Sequence, residues 1–353
     1  MEKKYMKGSE AIAEAAIRAG CRFYAGYPIT PQTEIMEYFA RRLPEVEGVF
    51  IQGESELASI SMVHGAAAAG VRAMTSSSGP GLSLKAEGLS GLAGMHIPAV
   101  ICNAMRGGPT TGSIQGSQSD YFQATKAAGH GGFQMIVFAP SNLQEAVDFT
   151  YRAFGLAERD CNPVLLLVDG YIVTMMEAVE LPEFMEVDYN SRPWAVRGKG
   201  EGPRRVVSSG SLAPESVEQE DINMAKMHDV WAKNDVLVEK YRTSDAELIV
   251  AAFGTAARIA RGSVDEMREE GYKVGMIRPI TVNPFPYEAF EQLDVSKVKC
   301  VLDVEMAIPA QMVYDVRLGV NGKIPVSTYC RSGGMLVKSD ELIARAKKLY
   351  ERT

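Results

Sequence analysis

Short apolar runs alternate with helical stretches along this chain, and that alternation limits the folds open to it. In the first half, Cys21–Tyr24, Val49–Gln52, Arg72–Thr75, Ile97–Asn103, Met135–Ala139 and Val164–Val168 read as strands. Most are flanked by Gly or Pro and show no polar face, as strands covered on both sides require. Helical spacing fills the gaps, and the segment from Ser141 opens with the capping-box form Ser141-x-x-Gln144. The pattern predicts an α/β fold, a parallel sheet with helices on both faces.

From Glu183 to about Ser244 the texture changes. Ser191–Pro214 is rich in Gly, Pro, Ser and Arg, and Val217–Tyr241 is charged with helical character. The alternation then resumes with Leu248–Phe253, Val274–Arg278, Cys300–Val304 and Pro325–Tyr329 as strands and a basic helix from Ser339. With 353 residues the chain has length for about two domains. The expected division is a first domain over 1–185, a linker or surface excursion over 186–243, and a second, smaller α/β domain over 244–353.

A net charge of −7 offers nothing to nucleic acid or to an acidic membrane surface. No apolar run approaches a membrane span, and the charged start Met-Glu-Lys-Lys-Tyr-Met-Lys lacks a signal-peptide core. A cytoplasmic location is expected. Cys21, Cys102, Cys161, Cys300 and Cys330 show no Cys-x-x-Cys spacing, and the four histidines lack ligand spacing. Neither a metal site nor an iron–sulfur cluster is therefore expected on this chain.

Four segments carry candidate chemistry. Gly53–Gly65 sets Glu54 and Glu56 directly before an apolar helix. Acids there commonly mark a helix start, where the dipole stabilises the anion. A carboxyl deprived of water against Leu57 and Ile60 would instead favour its neutral form, able to hydrogen-bond a ring nitrogen and move protons. In Gly26–Thr33 two prolines stiffen the backbone and leave the Thr30 hydroxyl free for a ligand. The same residues suit a plain turn with Thr30 as N-cap and Pro31 at N1. Ser76-Ser77-Ser78-Gly79-Pro80-Gly81 suits an anion cradle or a tight turn, and is neither a Walker loop nor a dinucleotide fingerprint. Arg106–Gly112 puts an arginine after an apolar strand, fit for a carboxylate or phosphate, or else a surface residue in a loop. In open parallel sheets ligands gather at the carboxyl ends of strands, where these loops fall. His64, in an apolar helix, reads as a satisfied core histidine, and His130, in the loop Gly-His-Gly-Gly, is more open to a functional role.

Together these segments resemble the α subunit of thiamine diphosphate-dependent 2-oxoacid:ferredoxin oxidoreductases. The resemblance rests on Ala25-Gly26-Tyr27-Pro28-Ile29-Thr30-Pro31, the Glu56 segment through Val63-His64-Gly65, Thr75 through Gly81, and Arg106-Gly107-Gly108-Pro109. It runs from about Gly8 to Val179 and more weakly through Ala246–Leu336. The branched-chain (2-oxoisovalerate, or 3-methyl-2-oxobutanoate) type is the most similar, with 2-oxoglutarate- and pyruvate-specific members as alternatives. In one departure, Ala310-Gln311 stands where the family carries a Gly-Gln pair.

The resemblance implies a pyrimidine-binding thiamine diphosphate domain followed by a transketolase C-terminal-like domain. It implies Glu56 as the catalytic carboxylate, hydrogen-bonded to N1′ of the cofactor's aminopyrimidine, with Tyr27 and Ile29 as further cofactor contacts. Thr30 and Arg106 are then substrate contacts, for the 2-oxo group and the carboxylate. The implied reaction is oxidative decarboxylation of a 2-oxoacid to acyl-CoA and CO2, with coenzyme A as co-substrate. The Gly-Asp-Gly…Asn element that holds Mg2+ and the diphosphate is missing, and Asp169-Gly170 cannot replace it. A β subunit is therefore implied for those contacts, with γ and ferredoxin-like subunits for the iron–sulfur clusters and an external ferredoxin as acceptor. Alone, the chain is expected to be inactive. Two other readings stand beside this one: a non-oxidative thiamine diphosphate decarboxylase or transferase subunit, and a nucleotide-binding regulatory module using Ser76–Gly81.

Overall fold

The computed structural model describes residues 3–189, 192–198 and 205–352. Its strands in chain order are β1 (Lys4–Lys7), β2 (Phe23–Gly26), β3 (Val49–Gln52), β4 (Ala73–Ser77), β5 (Val100–Met105), β6 (Ile136–Phe138) and β7 (Val164–Asp169). There follow β8 (Met176–Val179), β9 (Val238–Tyr241), β10 (Leu248–Ala252), β11 (Val274–Pro279), β12 (Thr281–Asn283), β13 (Cys300–Glu305) and β14 (Val326–Cys330). One sheet runs β12-β6-β7-β5-β4-β2-β3, parallel except for β12. A second runs β14-β13-β10-β11-β9, parallel except for β9. β1 and β8 form a separate antiparallel ribbon.

Alternation along the strands explains the missing polar face. Met74, Val100, Cys102, Leu166 and Val168 point to one side of the first sheet, into a core completed by Ile12, Phe39 and Val147. Ala73, Ile101, Leu165 and Leu167 point to the other, where Ile60, Val63, Leu82 and Leu89 meet them. Successive side chains leave a strand on opposite faces, so a strand covered by helices on both sides must be apolar throughout. The second core continues into the second sheet through Ile249, Phe253, Val301 and Met312. The far face of that sheet packs on the helices Gly254–Glu269 and Ser339–Tyr350.

Every strand read from sequence forms, with ends displaced by no more than a few residues. β1, β8, β9 and β12 were not legible. They are three or four residues long, and β1 and β9 are half polar. The segment expected as a linker holds a helix, Pro214–Asn234, anchored by the buried Trp231, whose Nε1 donates to Asp160 Oδ2 at 2.8 Å. β9, from the same segment, pairs with β11. Residues 190–191 and 199–204 of that segment lie outside the described residues. The capping box from Ser141 is displaced by one residue: Asn142 is the N-cap and accepts from the Glu145 N–H at 2.9 Å. Glu145 reaches back to the Ser141 N–H, while Gln144 turns to Asp148 and the Glu180 carbonyl.

Glu145 also joins the two sheets. Arg278 on β11 is buried and grips it with two bonds of 2.7 and 2.9 Å, while its Nε holds Glu239 at 2.8 Å. Burial opposes the Glu145 anion, but the bonds from Arg278 prevail and hold its carboxyl below the usual range. Arg278→Ala should cost roughly 2–3 kcal/mol, less than a fully buried pair because both glutamates keep some solvent. A depressed carboxylate pKa contributes stability above the unfolded value of 4.5 that is lost as pH falls through the folded one. Thermal melts across pH should therefore show the gap between wild type and variant shrinking below about pH 4.5.

Candidate active site

Strand order builds the site. β3 lies on one side of β2 and β4 on the other. The sheet thus changes its direction of growth at β2, and such a switch point opens a crevice at the carboxyl ends of the strands. The loops after β2, β4 and β5 meet there, so three segments distant in sequence become neighbours.

Glu56 is the first residue of the helix Glu56–Ala68, whose N-cap is Ser55, accepting from the Ala58 N–H at 3.1 Å. Glu56 is buried, whereas Glu54 is exposed. Ile60 is buried too, but Leu57 is 53% exposed and does not shield the carboxyl as expected from sequence. Its shield is the neighbouring helix Pro80–Gly94. A Cβ on Gly81 would stand 2.7 Å from Glu56 Oε1 and 2.2 Å from Ser77 Oγ.

The loop after β2 is tied down by buried polar groups. Tyr24 Oη lies 2.5 Å from Ser76 Oγ, Ser76 donates to Gln32 Oε1, and Gln32 Nε2 donates to the Tyr27 carbonyl at 3.0 Å. Burial pushes the Tyr24 phenol well up, so it stays protonated. Thr30 is not an N-cap and Pro31 not N1: the helix begins at Thr33. Thr30 is exposed, Ile29 half-buried and Tyr27 38% exposed. The Thr30 carbonyl accepts from Arg106 Nη1 at 2.9 Å, and its hydroxyl has no partner among the described residues.

Arg106 is not a surface residue. It is 8% exposed, and its Nε has no partner. The other buried arginines described, Arg72, Arg192 and Arg278, each pair with a glutamate, but Arg106 pairs with no carboxylate. It lines a cavity of about 610 Å3 with Gly79, Ser83, Asp120, Ile308 and Gln311. Thr75 Oγ1, Ser77 Oγ, Ser78 Oγ and Asn103 Oδ1 are likewise buried without a partner. Such groups are costly to leave open, and their concentration at one end of β4 and β5 marks a place meant to be filled.

Sequence reading missed Asp120. Burial pushes its carboxyl up, against bonds from Asn103 and the Gly79 N–H and the charge of Arg106. No local pattern flags it, because only the path of the 106–120 loop brings it to the cavity. Its neighbours are clamped by the second sheet: Gln118 bonds the Phe253 carbonyl at 2.7 Å and both Met306 main-chain groups at 3.0 Å. Gln311, at the departure from the family pattern, bonds the Phe122 N–H and the Ser119 carbonyl. Asp169 caps a short helix and holds Thr255, a structural use. His64 is satisfied by the Gly88 carbonyl at 2.7 Å, and His130 is exposed beside Glu87.

Two family models match: the thiamine diphosphate-binding region of pyruvate flavodoxin/ferredoxin oxidoreductases over residues 14–243, and core domain II of pyruvate:ferredoxin oxidoreductase over 246–342. The chain belongs to this oxidoreductase family. It is 40% identical to the ketoisovalerate oxidoreductase subunit VorB of Methanothermobacter marburgensis, over 99% of this chain and 98% of that protein. It is 36% identical to the 2-oxoglutarate synthase subunit KorA of Methanocaldococcus jannaschii, over 97% and 98%. A 2-oxoglutarate:ferredoxin oxidoreductase from Magnetococcus marinus, solved with 2-oxoglutarate, coenzyme A and succinyl-CoA, superposes with a TM-score of 0.85 at 25% identity. That match covers 99% of this chain and 65% of the solved one. A split-gene transketolase shares the fold, with a TM-score of 0.61 at 12% identity.

The residues present fit the pyrimidine half of thiamine diphosphate. A buried carboxyl stands at a helix start, Gly81 leaves room for that carboxyl where a side chain would displace it, and orphaned hydroxyls lie toward the same end of the sheet. Among the described residues no three His, Cys, Asp or Glu side chains stand together in a way that could hold a metal. Gly81→Ala should cost about 1–3 kcal/mol by overpacking. A crystal structure of that variant should show the Glu56 carboxyl displaced from the helix Pro80–Gly94.

Proposed function

We propose that this chain is the pyrimidine-side α subunit of a cytoplasmic 2-oxoacid:ferredoxin oxidoreductase acting on a branched-chain 2-oxoacid such as 2-oxoisovalerate. The observation that carries the reading is Arg106, a buried guanidinium with an unspent donor and no carboxylate of its own. Leaving such a charge unpaired is expensive, and an anionic substrate offsets that cost. The 40% identity to a ketoisovalerate oxidoreductase subunit supports the substrate class. So does the cavity, where Arg106 is the one cation and Asp120 the one anion among the lining residues. From this chain a 2-oxoacid with a second carboxylate would receive no second cation among those residues.

In this reading Arg106 binds and orients the substrate carboxylate, and its Nη1 bond to the Thr30 carbonyl fixes the fork. The Thr30 hydroxyl, free of protein partners, donates to the 2-oxo group. Glu56 holds or passes a proton at its Oε1 toward the cofactor's ring nitrogen, while Tyr27 and Ile29 contact the ring. Thiamine diphosphate, when bound, supplies the nucleophile and electron sink for decarboxylation. The β subunit brings Mg2+ and the diphosphate contacts. The γ and ferredoxin-like subunits carry electrons through iron–sulfur clusters to an external ferredoxin, and coenzyme A takes the acyl group.

Co-expressed with its partners, the chain should reduce a low-potential dye with coenzyme A and 2-oxoisovalerate faster than with pyruvate or 2-oxoglutarate. A preference for 2-oxoglutarate would overturn the substrate assignment. Glu56→Gln should leave the fold intact and slow H/D exchange at the cofactor's C2 in the complex by a factor on the order of 10²–10⁴, the scale of lost acid–base catalysis. An unchanged rate there would remove Glu56 from its role. Arg106→Lys keeps the charge but loses the fork, and should weaken 2-oxoacid binding by about 1–3 kcal/mol while sparing cofactor affinity. If only the melting temperature falls, Arg106 is structural. Calorimetry should find weak thiamine diphosphate binding by the isolated chain and tight binding once the β subunit is added; tight Mg2+-dependent binding to this chain alone contradicts a split site.

A further inference from the structure

Lys85 is the one buried lysine among the described residues, with no exposed surface, and it lies in the middle of the helix Pro80–Gly94. Its Nζ donates to the Glu56 main-chain carbonyl at 3.2 Å, and no carboxylate is close enough for an ion pair. Burying an ammonium costs several kcal/mol unless something offsets it. Lys85 follows Gly81 by four residues, so both lie on one helix face. That face is the one Glu56 touches: Gly81 makes room for the carboxyl, and one turn on Lys85 holds the carbonyl of the same residue. Gly88 extends the stripe, with Ile60 against it and His64 bonded to its carbonyl.

We propose that Lys85 is a positioning residue for Glu56, fixing the start of its helix and supplying positive charge beside its carboxylate. The inference rests on the reading above that Glu56 faces the cofactor. A purely structural residue at this place would be apolar, because a methionine fills the same length without the cost of a buried charge. The other titratable groups along this helix pair are His64, bonded to the Gly88 carbonyl, Asp120, which accepts from the Gly79 N–H beside Arg106, and Glu87, beside His130. Glu56 is the charge that bears on it. Burial pushes the Lys85 ammonium down to about 8, so its proton is lost as pH rises through that value.

The test compares the assembled complex carrying Lys85→Met or Lys85→Gln with wild type. Turnover, C2 H/D exchange without substrate, calorimetric affinity for thiamine diphosphate and melting temperature are read on each. Exchange and turnover should fall on the order of 10–100-fold in both variants, below the 10²–10³-fold scale of a lost donor that touches the reacting atoms, because Lys85 acts through Glu56. The KM for the 2-oxoacid, cofactor affinity and melting temperature should stay near wild type. Wild-type turnover should decline above about pH 8, and the decline should be absent from the variants. Wild-type exchange in either variant, or a loss that tracks melting temperature, overturns the proposal; so does a wild-type profile with no alkaline decline. If Lys85→Met does not assemble, Lys85→Gln, which keeps an N–H for the Glu56 carbonyl, decides by the same readouts. Glu56→Gln run alongside separates the two readings. Normal exchange there removes Glu56 itself, whereas slow exchange there with normal exchange in the lysine variants removes Lys85 alone.

Discussion

The close approach of two helices, Glu56–Ala68 and Pro80–Gly94, is the contact on which the site depends. Glycines permit it. A Cβ on Gly88 would stand 2.4 Å from Ile60 Cγ2, and one on Gly91 2.7 Å from His64 Cε1. At that separation the Glu56 carboxyl lies against Gly81 and the Lys85 ammonium reaches the Glu56 carbonyl. A larger residue anywhere along the stripe would separate groups whose chemistry depends on contact, since close-packed interiors transmit small displacements.

Around this contact the protein leaves several buried polar groups open beside others that are satisfied. Tyr24, Ser76 and Gln32 form a buried network, and Arg72, Arg192 and Arg278 all have carboxylates. By contrast Thr75, Ser77, Ser78, Asn103 and Arg106 keep unpaired atoms at the carboxyl ends of β4 and β5. Desolvated groups without partners cost stability. Their clustering where the sheet reverses its growth is a cost a ligand can offset.

The second sheet holds the first sheet's loops in place. Gln118, Gln311 and Glu305 form a bonded relay from β13 to the segment before Asp120, while Tyr121 donates to Asp315 at 2.7 Å. These bonds fix the path of the chain between Arg106 and the helix beginning at Tyr121. Two domains that merely touched would leave that path free. The core cluster through Ile249, Val301 and Met312 is continuous with that of the first sheet and packs behind the clamp.

Apolar strands of the buried kind and the residues of the four motifs were legible in the chain itself, because period and turn composition are local properties, whereas the helix N-caps expected at Ser141 and Thr30 fall one and two residues later, at Asn142 and Gln32. Family resemblance then named Glu56, Thr30 and Arg106. Tertiary structure decided the rest. It covered Glu56 with Gly81 rather than Leu57, and turned the Thr30 carbonyl rather than an N-cap toward its neighbours. It left Arg106 buried without a counter-ion, and it brought Asp120 and Lys85 to the site from positions with no distinguishing pattern. The edge strands β9 and β12 escaped notice because short, partly polar segments acquire their conformation from the sheet they join. Which polar groups share a cavity depends on strand order and helix spacing, and neither quantity is written in any local stretch of sequence.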